Sequence, residues 1–75
     1  MIKITYDKSA DAVYIYLKEI KISEVNFTYP CNPIKVKGEI NLDFDKKSRL
    51  IGIEILDASK KLPEAIINNA IRIDK

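Results

Sequence analysis

The stretch Leu50-Ile51-Gly52-Ile53-Glu54-Ile55-Leu56-Asp57-Ala58-Ser59 decides how this chain is read. Ile51, Ile53 and Ile55 alternate with Gly52 and Glu54, the period-two pattern of a strand with one buried face. A lone carboxylate in so apolar a strand implies a second face that meets water or a partner. Residues 39–44 repeat the pattern, with Ile40, Leu42 and Phe44 on one side, and "DKKSR" (45–49) is the turn between the two strands.

Upstream, residues 2–6 and 12–17 read as two more strands joined by the polar turn "DKSAD", because Asp and Ser side chains bond nearby backbone and favour turns. The two hairpins align at a constant offset, Ile4 with Leu42, Asp7 with Asp45 and Ile15 with Ile53; shared turn chemistry is the simpler explanation of this weak repeat. A further strand is expected over 22–29, where Val25, Phe27 and Tyr29 alternate. "PCNP" (30–33) breaks it, and 34–37 is a short edge segment. From 57 the period changes. Asp57 or Ser59 can cap a helix, Pro63 fits only a first turn, and a helix is expected over 62–70. The residues beyond it fray or pair as a short strand.

Keeping the apolar residues on one face fixes the register: Ile4 opposite Ile15, Tyr6 opposite Val13, Ile40 opposite Ile55, Leu42 opposite Ile53 and Phe44 opposite Ile51. The core face then includes Ile2, Leu17, Val25 and Phe27 as well. The other face carries Thr5, Tyr14, Tyr16, Asn26, Thr28, Asn41, Asp43, Gly52 and Glu54, a mixture of aromatics, amides and carboxylates that suits an interface patch. The expected fold is a single α+β domain over 1–75, an antiparallel meander of about five strands with one C-terminal helix packed on one face. Whether that helix covers its own sheet or a neighbour's is open.

A net charge of +2, without a basic stripe or interleaved stacking aromatics, argues against nucleic acid. Cys31 is alone and there is no His, so neither a disulfide framework nor the commonest general base is available. No apolar run reaches the length of a membrane span, and residues 1–8 go straight into a strand pattern without a leader; the expected compartment is the cytoplasm. No cofactor is expected. Tyr14, Tyr16, Asn41, Asp43 and Glu54 are the interface candidates, for a second copy of the chain or a second small protein. The alternative is a small metal-dependent enzyme or ligand binder using Asp43, Asp45 and Glu54, since carboxylate oxygens suit hard cations.

"ITYDKSADAVYIYL", "INLDFD" and "LIGIEILDAS" together resemble the small prokaryotic family termed domain of unknown function 2283. Tyr6, Asp7, Asp11, Ala12, Val13, Tyr14, Ile15, Asp43, Asp45, Gly52, Ile53, Glu54, Ile55, Leu56, Ala58 and Ser59 carry the resemblance. The family's second turn usually has Gly before the last strand, where Ser48-Arg49 stands here. The resemblance implies no catalytic residues. It implies an antitoxin-like binding role, since some members look like the small partner encoded beside a compact toxin-like protein.

Overall fold

A computed structural model describes residues 1–74. Alternation produces the two expected hairpins, β1 (Lys3–Asp7) with β2 (Ala12–Tyr16) and β4 (Ile40–Phe44) with β5 (Leu50–Leu56). Ile4 faces Ile15, Tyr6 faces Val13, Ile40 faces Ile55 and Leu42 faces Ile53, as the core pattern requires. The hairpins lie side by side through an antiparallel β2–β5 pairing, with Val13 opposite Ile55 and Ile15 opposite Ile53.

The sheet is not the expected meander. Its order is β3-β4-β5-β2-β1-β6, with β3 at Phe27–Pro30 and β6 at Ile71–Arg72. β6 runs parallel to β1, so the six-stranded sheet is mixed. After β2 the chain crosses past β5 and β4 before pairing on the far side of β4. Charge explains the crossover: residues 17–26 carry Lys18, Glu19, Lys21 and Glu24, which suit a solvent-facing connection better than a central strand. Glu24 folds this segment back on itself, accepting from Lys21 N at 2.7 Å and from Lys18 Nζ at 2.5 Å. Only the last part of the strand expected over 22–29 therefore forms. Ile22 is fully exposed, and Val25, Phe27 and Ile2, expected in the core, are exposed as well.

A second correction lies at the turn after β4. Phe44 pairs with Leu50 rather than Ile51, through a register shift between Asp43 and Phe44. The Asp45 carboxylate accepts from the backbone N–H of Lys47 and of Arg49 and from Arg49 Nε, each at 2.9 Å, and Ser48 N donates to Asp45 O. This tight loop puts Ser48 in the left-handed region (φ 61°). That conformation costs a side-chain-bearing residue about 1–2 kcal/mol, and glycine loses about 0.5–1 kcal/mol of that advantage through its greater unfolded freedom. Ser48→Gly is therefore expected to stabilise the protein by up to about 1 kcal/mol, read as a higher midpoint in urea with an unchanged slope.

Three short helices form where one was expected. α1 (Pro33–Val36) stands where an edge segment was expected: Asn32 Oδ1 accepts from Ile34 N and Lys35 N, and Pro33 opens the turn. The helix expected over 62–70 forms as α3 (Glu64–Asn69), and a further short helix, α2 (Ala58–Lys61), precedes it. The break between them falls at Leu62, which is extended (φ −112°, ψ 150°), because the ring of a following proline excludes the helical region. α2 and α3 lie on the chain's own sheet. Tyr6, Val13, Ile55 and Ala58 form the buried cluster, with Ile4, Ile15, Ile40, Ile53, Leu62, Ile67 and Ala70 packed around it. No described helix is long and apolar enough to cross a membrane.

Candidate functional site

The face opposite the helices is built by the other half of each strand's alternation. Lys3, Tyr14, Tyr16, Gly52, Glu54, Asn41, Asp43 and Thr28 all fall on it by pairing, with Thr5 opposite Tyr14. Thr5 is buried, so it supports this face rather than presenting itself on it.

Gly52 shapes the middle of the face. It lies between Tyr16 and Asp43 in the ladder, and Tyr14 from β2 leans across it. A methyl group built on Gly52 would come within 2.6 Å of Tyr14 Cζ and would overlap its hydroxyl. Across that gap the Tyr14 hydroxyl donates to Asp43 Oδ2 at 2.5 Å, and Thr28 Oγ1 donates to Asp43 Oδ1 at 2.5 Å. Both Asp43 oxygens are thus engaged, one from the adjacent β3 and one from β2 across β5. Burial first, and then the bond to Asp43, raise the Tyr14 pKa well above the usual phenol range, so the hydroxyl stays a donor at every ordinary pH.

Tyr14 meets Tyr16 edge-on (centroids 4.6 Å, planes at 64°), and Lys3 Nζ stands 4.6 Å from the Tyr16 ring centre. Lys3, Tyr16, Tyr14, Asp43 and Thr28 therefore form one band spanning β1 to β3, passing over β5 at its glycine. In a second row, Asn41 Nδ2 donates to Glu54 Oε1 at 3.0 Å and to Glu39 Oε2 at 3.3 Å. The five sequence candidates, Tyr14, Tyr16, Asn41, Asp43 and Glu54, all fall within these two rows. Lys3 was not among them, although the register that pairs Ile4 with Ile15 also sets Lys3 beside Tyr16.

Asp43, Asp45 and Glu54 do not gather into one cluster. Asp45 is engaged in its turn, and among the described residues no group of three His, Cys, Asp or Glu side chains is placed to hold a metal ion. Asp7 also serves a turn, accepting from Ser9 N, Ser9 Oγ and Ala10 N. Cys31 is a free, half-buried thiol, and its N–H donates to Ile40 O.

Asp11 does something that local sequence reasoning did not anticipate. Its carboxylate accepts from the Tyr6 hydroxyl at 2.8 Å, Ser59 N at 3.0 Å and Ser59 Oγ at 2.8 Å, while its carbonyl accepts from Ala58 N. It caps α2 from a loop 48 residues earlier in the chain. Asp57 occupies the local cap position but its side chain makes no cap bond, and Ser59 donates to the clamp rather than capping. The Ser59 hydroxyl first, then the Tyr6 hydroxyl, lower the Asp11 pKa below the usual carboxylate range. A lowered folded-state pKa gives stability that is present above the unfolded value near 3.8 and is lost as pH falls through the folded one. Ser59→Ala is expected to raise the Asp11 pKa and to move the onset of acid unfolding to higher pH. Carboxyl-carbon NMR titration beside a CD acid melt reads both, and an unmoved Asp11 titration would mean that Ser59 does not support the carboxylate.

Tyr6, Asp11, Ala58 and Ser59 make the clamp, and Tyr14, Asp43, Gly52 and Glu54 shape the outer face. All eight belong to the pattern that suggested a family from sequence. No curated protein and no solved structure matches the chain. A family model does match, over residues 3–59, from the first residue of β1 to the clamped serine: the chain belongs to the family described as "Protein of unknown function (DUF2283)".

Proposed function

We propose that this protein is a binding module whose outer sheet face docks a partner protein, in an antitoxin-like pairing with a small toxin-like protein. The observation that supports this most is the hydrogen-bonded and stacked band from Lys3 to Thr28. Its side chains are already held by one another, so docking on them costs less ordering entropy than docking on a face of free rotamers. Tyrosines beside a cation and fixed carboxylates are the residue types that carry hot spots, and no helix covers them.

The test is capture of binding proteins from nuclease-treated native lysate by the tagged protein, followed by titration of the captured partner with purified wild type and variants. Tyr16→Ala and Glu54→Ala are expected to keep the amide NMR spectrum of the fold and to weaken binding about tenfold or more each. Unchanged affinity for both variants would refute the choice of face. In the same NMR series, localised shifts at Asp43, Asp45 and Glu54 on adding Mg²⁺ or Ca²⁺ would favour the cation-binding alternative instead.

A further inference from the structure

The helix-side face is covered only in part. α2 and α3 pack over Tyr6, Val13, Ile55 and their neighbours, and the β3–β4 corner lies outside that cluster. There, alternation and pairing put Phe27 beside Phe44 and Tyr29 beside Leu42, on the same side as Ile40. Phe27 and Phe44 stack in parallel (centroids 4.9 Å, planes at 10°), yet Phe27 is 44% exposed, Tyr29 57% and Leu50, opposite Phe44, 37%. This patch carries no formal charge.

The accessible surface of the whole chain is larger than its mass requires. The chain exposes 5595 Å² at a mass of 8.6 kDa. A folded monomer of that mass exposes about 4,700 Å², so the chain as a whole carries a surplus on the order of 900 Å², to which Phe27 and Tyr29 contribute, and a standard interface takes roughly 800 Å² from each partner. We propose that a second copy of this chain docks on the Phe27–Tyr29–Leu42–Phe44 patch, forming a twofold homodimer.

Two features favour a second copy here rather than on the outer face. A twofold contact sets a patch against itself. The outer face carries Lys3 as well as Asp43, Glu54 and Glu39, so a twofold contact there must match unlike charges across the axis, whereas the aromatic patch has no charge to match. The free edge of β3 does not offer an equivalent route. Cys31 N donates inward to Ile40 O, so by alternation Thr28 and Pro30 point outward, and Pro30 has no N–H to extend a ladder. Association at this corner therefore runs through side chains. It is independent of the partner-binding role of the outer face.

Sedimentation equilibrium of the purified protein at about 100 μM, above the micromolar limit of such interfaces, measures the association directly. The expected mass is twice 8.6 kDa. Phe27→Asp and Tyr29→Glu are each expected to raise the dimer dissociation constant about tenfold or more, with Tyr29, the more exposed, serving if the Phe27 variant fails to fold. Tyr16→Ala and Glu54→Ala are expected to leave self-association unchanged. A monomeric wild type, or a Tyr29→Glu protein that dimerises like wild type, would overturn the proposal. Loss of the dimer only in the Tyr16 and Glu54 variants would overturn it too, while supporting the outer face as a binding surface.

Discussion

Ile55→Ala is expected to take this protein close to its unfolding limit. Ile55 is 6% exposed at the centre of the buried cluster, opposite Val13 on one side and Ile40 on the other. Truncating a buried Ile costs about 2–5 kcal/mol, in lost transfer energy and in the cavity left behind. A chain of 75 residues has about 4–11 kcal/mol of stability in all. Collapse into the cavity is restricted here, because α2 is pinned above it by the Asp11–Ser59 bonds and Ala58 is wholly buried. The expected cost is thus in the upper part of the range, giving a shallow native baseline and a midpoint near zero denaturant. A loss below about 1 kcal/mol in a urea melt would mean that the cluster is not the stabilising centre. Leu42→Ala, outside the cluster, is expected to cost distinctly less.

Gly52→Ala should have the second-largest effect, and its meaning depends on Tyr14. The added methyl overlaps the Tyr14 hydroxyl and crowds the ring, so the ring must leave its seat and Asp43 loses one of its two donors. Overpacking of this kind costs about 1–3 kcal/mol. In a Tyr14→Ala background the space is empty, and alanine in a strand interior is favoured over glycine by about 0.5–1 kcal/mol. The same substitution is then expected to change sign and stabilise. This double-mutant cycle measures one contact by its coupling. Additive effects would show that Tyr14 does not rest on Gly52. Gly52→Ala is also expected to reduce partner binding through the outer face, because it displaces Tyr14 without removing it.

Both hairpins were legible from sequence because each strand alternates and each turn begins with an Asp that bonds its own loop. Two independent signals therefore set one register, and the pairing of Asn41 with Glu54 and of Asp43 with Gly52 followed from it. The bulge at Phe44 was not legible, since it depends on how Asp45 folds the turn rather than on the strands. The place of β3 could not be read either. Alternation in Phe27 and Tyr29 marks a strand without saying which neighbour it takes across a charged crossover. The C-terminal helix was legible from the change of period and from Pro63 at its start, whereas α2, the single turn before it, depends on the distant Asp11 and was not. The Asp11 clamp joins residues 48 positions apart, and no local rule predicts such a cap. On the outer face, sequence placed the candidates side by side. The hydrogen bonds that bind them into rows depend on side-chain rotamers and on the gap at Gly52, which alternation does not set.

The parallel strand β6 has a consequence for how the molecule breathes. Its two residues are joined to β1 by pairing at Thr5 and Tyr6, with Ile73 N donating to Tyr6 O at 3.1 Å and Arg72 above the Tyr6 ring at 5.8 Å. None of residues 71–73 is buried. Such a segment opens at a small fraction of the global unfolding energy, while the hairpins stay closed. Its amides should exchange with solvent long before those of β2 and β5. Each opening uncovers the outer backbone of β1, so one margin of the sheet lacks a donor where an imino acid stands and the other is covered only most of the time.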